Sequence, residues 1–284
     1  MKGGAVGDDW IGNKAEYLLE KVRFVREQTL EIHRIAQGTR IASSLSCIEV
    51  LVALYYGGIL NFNASNPRWE KRDRFIVSKV HGSIALYPIL ADLGFFPAEQ
   101  LGHVASRGSI LGAIPDCIIP GYETTNGSLG HGLGVACGMA TALQCRKAEE
   151  KVFVMAGDGE LFEGAVWEAI MFAGEHCLGN LILVVDANKV SMLDYCRNII
   201  DLEPYSAKFQ AFKWEAHCVN GHNLEDVYKL MFRLKHEESR FPRVVIANTI
   251  KGKGIPALEN DSLCHIKNVP PEQIGEIIRN WRKE

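Results

Sequence analysis

Apolar and polar positions along the chain follow two periods, one typical of helices and one typical of buried strands. Residues 14–36 carry apolar side chains at helical spacing, which predicts an amphipathic helix. Residues 151–156 and 181–186 are short apolar runs, as in strands that are buried on both faces of a sheet. Because such strands alternate with helix-length segments, the pattern predicts an α/β fold whose parallel sheet is covered by helices on both faces.

The other predicted elements continue this alternation. Ser46 and Glu49 have the spacing of a capping box, which predicts a helix that begins here and runs through about Tyr56. Residues 94–125 are rich in glycine and proline and predict a loop. The remaining predicted helices cover residues 82–93, 130–146, 163–177, 206–213, 223–237 and a last one from about 271, and the remaining predicted strands cover 73–78, 215–219 and 243–249.

Composition limits the class of protein. Of 284 residues, 47% are hydrophobic and 23% are charged, as in ordinary globular proteins, and the net charge of −3 does not favour a nucleic-acid or membrane partner. The eight cysteines show no Cys-x-x-Cys spacing, which disfavours a zinc site. Most of them lie within apolar stretches, which favours buried, reduced thiols in a cytoplasmic protein. No apolar run has the length needed to cross a membrane. We predict a flexible tail over residues 1–13 and a single domain over residues 14–284.

Two of the apolar runs end in residues that suit a divalent cation. The first ends in Gly157-Asp158-Gly159, and the second ends in Asn188, thirty positions after Asp158. Because the carboxyl ends of parallel strands meet at one edge of a sheet, the carboxylate and the amide oxygen can lie together there. Such oxygens are ligands for Mg²⁺, and the glycines let the backbone approach phosphate oxygens. The motif therefore predicts a site for a metal-bridged diphosphate.

Longer segments with a distinctive sequence accompany this motif, and they are Asn66–Phe75, Ser78–Ser83, Glu123–Gly132, Gly157–Gly164 and Asn248–Gly254. The motif resembles that of thiamine-diphosphate enzymes, and the longer segments resemble transketolase in the order of that family. The resemblance covers about residues 15–268. It implies the diphosphate-binding domain fold, thiamine diphosphate as cofactor, and Mg²⁺, Ca²⁺ or Mn²⁺ bound by Asp158, Asn188 and the backbone carbonyl of Val190.

The resemblance also implies catalytic and cofactor-binding residues. His81 and His265 would reach the diphosphate near the reacting centre and act in catalysis. Met192 would pack near the thiazolium ring, and Glu163 would couple two cofactor sites across a dimer. The implied cofactor-binding set is His81, Gly127, Leu129, Gly157, Asp158, Gly159, Glu160, Asn188, Met192 and His265.

The chain resembles only the first of the three domains of a transketolase. This implies the N-terminal subunit of a two-component enzyme, with an α2β2 assembly as the expected form. A C-terminal subunit would supply the pyrimidine-binding domain and the glutamate that activates the cofactor. Together they would form a transferase that moves a two-carbon unit from a ketose or 2-oxo-acid donor to an aldehyde acceptor, and this chain alone would not turn over.

Two positions depart from the family pattern. Thr39 and Ile114 stand where the family has histidines that bind donor oxygens. Because an unpaired buried hydroxyl costs about 1–3 kcal/mol, we predict a donor pocket altered in favour of a donor with an apolar group, such as pyruvate. An ordinary ketose donor and a non-catalytic or regulatory subunit stay open as alternatives. A dinucleotide-binding domain is disfavoured, since no Gly-x-Gly-x-x-Gly follows the first predicted strand.

For three further polar residues, the favoured interpretation is a role outside the site. Lys251 and Lys253 flank glycines, and solvated loop lysines are the favoured interpretation, although they could steer anionic substrates. His222, in Asn-Gly-His-Asn, is expected to order the turn before a helix.

Overall fold

A parallel sheet of five strands forms the centre of the protein. The computed structural model describes residues 13–125 and 127–282, so nearly all of the predicted tail lies outside the described residues. The sheet has the spatial order β1-β2-β3-β5-β4, with each neighbouring pair parallel. Its strands are β1 (Arg74–Val77), β2 (Val152–Gly157), β3 (Leu181–Ala187), β4 (Glu215–Asn220) and β5 (Arg243–Asn248).

Helices alternate with these strands, as the pattern predicts. No helix of the described ranges is both long and apolar enough to cross a bilayer. Short 3₁₀ helices cover Val80–Ala85, Ala98–His103 and Asp158–Phe162. The α-helices are α1 (Asn13–Ile35), α2 (Ile41–Leu45), α3 (Ile48–Tyr55), α4 (Leu86–Asp92), α5 (His131–Cys145), α6 (Gly164–Glu175), α7 (Cys196–Ile199), α8 (Tyr205–Ala211), α9 (Leu224–His236) and α10 (Pro271–Trp281).

Side chains of the sheet pack into two separate apolar cores, one on each face. Phe153 and Met155 of β2 pack with α1, α3, α4, α9 and α10. Val152 and Val154 of the same strand pack on the opposite face with α5, α6 and α8. This alternation follows from the two-residue period of a strand. Since both faces are covered, β2 and β3 are buried along their whole length, and the predicted α/β fold is confirmed.

The segment that follows α1 differs from its prediction. Ser46 and Glu49 do not form a capping box: the Ser46 hydroxyl donates to Asp186 at 2.6 Å, and Glu49 accepts from Arg26 at 2.6 Å. Helix α3 begins at Ile48, and the preceding loop contains the short helix α2, which the pattern did not indicate. Buried partners from distant elements have replaced the local cap in this segment.

The register of the sheet aligns the loops that carry the polar motifs. Gly157 at the end of β2 pairs with Asp186 of β3, and Ala187 pairs with Asn248 at the end of β5. Strand β1 lies on the other side of β2, with Val77 beside Met155. The loops after β1, β2, β3 and β5 therefore leave the sheet from the same edge.

Candidate functional site

An open cleft with a cavity volume of about 100 Å³ lies at this edge of the sheet. It brings together side chains and backbone from all four loops. Gly127, Thr39, Ile114 and Glu163 are outside its wall. The predicted residues that line it are His81, Leu129, Gly157, Asp158, Gly159, Glu160, Asn188, Val190, Met192 and His265.

The Asp158 carboxylate lies buried at the base of the cleft. It accepts backbone hydrogen bonds from Gly159 at 2.9 Å and from Lys189 at 2.5 Å. Burial and, to a smaller extent, the nearby charge of Asp186 raise the pKa of Asp158 to about 6. No basic side chain of the described ranges forms an ion pair with Asp158. A buried carboxylate without such a partner favours a bound cation.

The turn after β3 presents two further oxygen atoms to the cleft. The Asn188 side-chain nitrogen donates to Asp186 at 3.0 Å, which fixes the orientation of the amide. Lys189 has a φ of 68°, a left-handed conformation that bends the chain sharply and aims its N–H at Asp158. The carbonyl of Val190 accepts from the Lys251 ammonium at 2.6 Å, so this oxygen already binds a positively charged group.

Oxygen atoms dominate the possible metal ligands. Across the described ranges, no group of three or more His, Cys, Asp or Glu side chains could hold a metal ion. The candidate set is instead one carboxylate, one amide oxygen and one backbone carbonyl, from Asp158, Asn188 and Val190. Such a set suits a hard cation that keeps further positions for phosphate oxygens and water.

Two histidines form a pair at the side of the cleft. His265 Nε2 and His81 Nδ1 share a hydrogen bond of 3.1 Å, and Ser43 Oγ lies 3.2 Å from His265 Nδ1. Burial and, to a smaller extent, the positive charge of Lys251 lower the pKa of His265 to about 3. The pKa of His81 is also lowered, by burial and then by the charge of Arg40. Both rings are therefore neutral near pH 7.

A buried ion pair that the sequence analysis missed connects the loops. The Lys79 ammonium pairs with the Asp186 carboxylate, which also accepts from the hydroxyls of Ser46, at 2.6 Å, and Thr249. Burial alone would raise the pKa of Asp186, but the charge and hydrogen bond of Lys79 lower it, so the group stays ionised. The sequence did contain a signal, because an acidic residue inside an apolar strand needs a buried partner.

The carboxylate of Glu160 is held in place by hydrogen bonds from other residues of the chain. Its carboxylate accepts from the backbone of Gly130 at 2.9 Å and of Gly157 at 3.2 Å, and from the Ser78 hydroxyl. Burial raises the pKa of Glu160. These bonds join the ends of β1 and β2 to the start of α5, which positions the glycine-rich turn beside the cleft.

Lys251 is a buried residue of the cleft, so its interpretation as a solvated loop lysine is wrong. Its ammonium donates to the carbonyls of Val190, at 2.6 Å, and Ser191, at 3.1 Å, and burial lowers its pKa. In the part of the chain that the structure describes, it forms no ion pair with a carboxylate. An ammonium held only by carbonyl dipoles attracts an anion such as a phosphate.

His222 holds the loop that carries Lys251. Its backbone N–H donates to Asn220 Oδ1 at 3.1 Å, as expected for a turn. Its Nε2 accepts from the Ile250 N–H at 2.8 Å, and its Nδ1 lies 3.3 Å from Glu49. The prediction that His222 orders the turn is confirmed, and the ring also anchors the neighbouring loop.

The four predicted site residues outside the cleft have different environments. Thr39 is buried at the end of α1, where its hydroxyl lies 2.5 Å from both His33 Nδ1 and the carbonyl of Ala36. Ile114 is 43% exposed on a loop. The altered donor pocket at Thr39 and Ile114 thus stays a prediction without support from the cleft geometry.

Gly127 and Glu163 lie in the segments that precede α5 and α6. Gly127 belongs to the loop before α5 and follows Asn126, which is outside the described residues. Glu163 is exposed in this chain, directly before α6, with its side chain close to Gly130. An exposed position at the start of a helix leaves Glu163 accessible to a second chain.

Comparison with known proteins identifies the family. Residues 20–282 match the family described as transketolase, thiamine diphosphate binding domain, and the chain belongs to it. The 6-deoxy-6-sulfo-D-fructose transketolase subunit SqwG of Clostridium sp. is 36% identical over 269 residues, which are 94% of this chain and 97% of that protein. One of the subunits of the apulose-4-phosphate transketolase of Phocaeicola vulgatus is 36% identical over 254 residues, or 89% and 90% of the two chains.

Longer transketolases match over part of their length. The transketolase of Rattus norvegicus is 33% identical over 94% of this chain but only 42% of its own. The crystal structure of Campylobacter jejuni transketolase superposes with a TM-score of 0.87 at 28% identity, again over 94% of this chain and 43% of that one. The predicted resemblance to the N-terminal part of a divided transketolase, a transferase, is confirmed.

The ion pair between Lys79 and Asp186 should be required for stability. We expect Lys79→Met to lower the free energy of unfolding by about 3–5 kcal/mol, because it leaves a buried charge without a partner. The double variant Lys79→Met/Asp186→Asn should recover part of this loss. The control Lys229→Met removes a partly exposed pair with Glu225 and should cost less than about 1 kcal/mol in urea denaturation. Equal losses for the two single variants would contradict this role.

The stability of the protein should decrease as the pH decreases, partly because of His265. Its pKa of about 3 in the folded chain lies below that of an unfolded histidine, about 6.5. Between these values the unfolded chain binds a proton that the folded chain does not, so stability falls as the pH decreases, by up to about 1.4 kcal/mol per pH unit. We expect His265→Asn to weaken this dependence between pH 7 and pH 5 in urea denaturation. The same pH dependence of stability in the variant and in the unmodified protein would refute the lowered pKa of His265.

Proposed function

We propose that this chain is the N-terminal subunit of a two-component, thiamine-diphosphate-dependent transketolase-type enzyme. One observation carries the proposal. The N–H of Lys189, which stands between Asn188 and Val190, donates to the Asp158 carboxylate. This carboxylate lies at the base of a cleft that His81 and His265 flank. The family membership supports the cofactor, and the match over nearly the full length of relatives named as subunits supports the divided architecture.

The residues of the cleft fit a metal-bridged diphosphate. Mg²⁺, or Ca²⁺ or Mn²⁺ in its place, would be held by Asp158, Asn188 and the carbonyl of Val190. The ammonium of Lys251 donates to that carbonyl in this structure. A metal bound to the carbonyl would displace the ammonium toward the phosphate oxygens. The peptide groups of Gly157 and Gly159 would complete the diphosphate site. When bound, thiamine diphosphate supplies the centre that stabilises a carbanion during C–C bond cleavage and formation.

The neutral histidines give the cleft its hydrogen-bonding function. Because His81 and His265 are both uncharged near neutral pH, each ring has one donor and one acceptor nitrogen. They would orient substrate oxygens beside the diphosphate and hold or release protons there. Backbone groups of Gly127 and Leu129 would contact the aminopyrimidine, Met192 would pack near the thiazolium ring, and Glu160 would support the surrounding loops.

A second polypeptide would complete the site. It would be a C-terminal transketolase subunit with the pyrimidine-binding domain and the activating glutamate, in an α2β2 assembly. An interface at α5 and α6 is supported by exposed residues there. They are Glu163 and the apolar residues Val135, Met171 and Phe172. We place the enzyme in the cytoplasm, which the eight free cysteines support.

The reaction would be transfer of a two-carbon unit from a ketose or a 2-oxo acid to an aldehyde. The prediction of an altered donor pocket rested on Thr39 and Ile114, and neither lines the cleft. An ordinary ketose phosphate and a 2-oxo acid are therefore both candidate donors.

Turnover is the direct test of this function. The chain would be mixed with a C-terminal transketolase subunit from the same genome, thiamine diphosphate and Mg²⁺, and offered an aldehyde with either pyruvate or fructose 6-phosphate. We expect product only when both chains, the cofactor and the metal are present, because each chain provides half of the cofactor site. Turnover by this chain alone, or none with either class of donor, would overturn the proposal.

Cofactor binding should depend on Asp158 and on a divalent metal. We expect Asp158→Asn to weaken thiamine diphosphate binding at least about tenfold in calorimetry with Mg²⁺, because Asp158 is the one anionic group among the three proposed protein ligands of the metal. Chelation of the metal should have a similar effect on the unmodified protein. The control Asp201→Asn changes an exposed carboxylate outside the cleft and should leave affinity unchanged. Unaltered binding by Asp158→Asn would reject the metal site.

A further inference from the structure

Ser43 of α2 lies against the histidine pair, although the sequence pattern did not indicate it. Its Oγ lies 3.2 Å from His265 Nδ1, and the residue lines the cleft with only 3% of its surface exposed. The carbonyl of Ser43 accepts from the Lys79 ammonium at 3.1 Å and from the Ser46 hydroxyl at 3.3 Å. Ser43 is therefore held in place by the same network that binds the buried Asp186.

Three side chains form a continuous line of hydrogen bonds that ends at the cleft. Ser43 Oγ meets His265 Nδ1, and His265 Nε2 meets His81 Nδ1 at 3.1 Å. The remaining ring nitrogen, His81 Nε2, has no hydrogen-bond partner within the described ranges, and His81 lines the cleft. His81 Nε2 is therefore the end of the line that a ligand can reach.

The protons on this line have two possible arrangements, because both rings are neutral near pH 7. If Ser43 donates to His265 Nδ1, then His265 Nε2 carries a proton and donates to His81 Nδ1, so the proton of His81 is on Nε2. If Ser43 accepts instead, both rings carry their proton on Nδ1, and His81 Nε2 is an acceptor. A neutral imidazole has one donor and one acceptor nitrogen, so no third arrangement keeps both hydrogen bonds.

The surroundings of Ser43 favour one of the two arrangements. Among the described residues, His265 Nδ1 is the only hydrogen-bond partner of the Ser43 hydroxyl. If this hydroxyl accepted from His265, its own proton would be buried without an acceptor, which is unfavourable. If it donates, its proton is satisfied and both bonds of the histidine pair are kept. The arrangement in which Ser43 donates is therefore the more stable one.

We infer that Ser43 is a positioning residue that donates to His265 and thereby makes His81 present an N–H, from its Nε2, to the cleft. The inference rests on the proposed function, in which His81 orients substrate oxygens beside the diphosphate. An N–H at this place stabilises the negative charge that develops on the carbonyl oxygen of the donor substrate as its carbonyl carbon reacts. A lone pair at the same place would repel that oxygen, so the Ser43 hydroxyl sets the polarity of the cleft at His81.

Nitrogen-15 NMR of the full chain, labelled at histidine and measured near pH 7, tests the inference without turnover. A ring nitrogen with a proton and one without have distinct chemical shifts, and the signals of His81 and His265 are assigned by their loss in His81→Asn and His265→Asn. We expect the proton on Nε2 of both rings in the unmodified protein. Ser43→Ala cannot donate and should give a mixture of tautomers, and Ser43→Thr should restore the single form. Protons on Nδ1 of both rings, or unchanged tautomers in Ser43→Ala, would overturn the inference.

Ser44→Ala is the matched control. Ser44 is the next residue of α2 and is also buried, but its hydroxyl lies 3.1 Å from His33 Nε2 and 3.3 Å from the backbone carbonyl of His81, not beside a ring nitrogen of the pair. This variant should keep the tautomers of the unmodified protein. The same mixture of tautomers in Ser44→Ala and Ser43→Ala would assign the effect to repacking of α2 and overturn the inference.

Steady-state kinetics of the two-subunit enzyme tests the consequence for catalysis, with pyruvate or fructose 6-phosphate and an aldehyde. We expect Ser43→Ala to lower kcat and kcat/KM by the same factor, at least about tenfold, because the N–H of His81 acts on charge that develops only in the transition state. Thiamine diphosphate affinity should be unchanged. A raised KM with an unaltered kcat, or weaker cofactor binding, would overturn the inference. Absence of turnover by the unmodified enzyme with both donors would reject the proposed function, and the NMR tautomers would still decide the role of Ser43.

Discussion

The buried ion pair between Lys79 and Asp186 is the interaction on which the cleft depends. Asp186 lies inside a strand that is buried on both faces, where an unpaired charge is costly. Lys79 neutralises it from the loop after β1, and the hydroxyls of Ser46 and Thr249 reach the same carboxylate from α2 and the loop after β5. The carboxylate also receives the amide of Asn188 and thereby orients that side chain toward its proposed role.

Charge is distributed unevenly around this network, and that distribution suits anionic ligands. Asp158 is a buried carboxylate without a basic partner, which favours a cation at the base of the cleft. Lys251 is a cation without an acidic partner among the described residues, and it lines the region where the phosphate is proposed to bind. Burial keeps His81 and His265 neutral, so they can accept as well as donate hydrogen bonds.

The cleft of this chain is open, and its outer residues fit contacts with another polypeptide. Met192, which lines the cleft, is 53% exposed, and Glu163 stands exposed before α6. Full-length transketolases match this chain over less than half of their own length. These observations support the proposed two-component site, in which this chain builds the base and a second chain adds the remaining walls.

The sequence by itself determined the α/β fold, the order of its strands along the chain and the metal motif. These follow from local periodicity and from Asp158 and Asn188 at strand ends, which need no knowledge of distant contacts. Only the tertiary structure decided the partners of Ser46 and Asp186, the burial of Lys251, and the contact between His81 and His265. Such choices depend on which side chains the packed elements bring together, and a buried charge accepts any suitable partner, however distant in sequence.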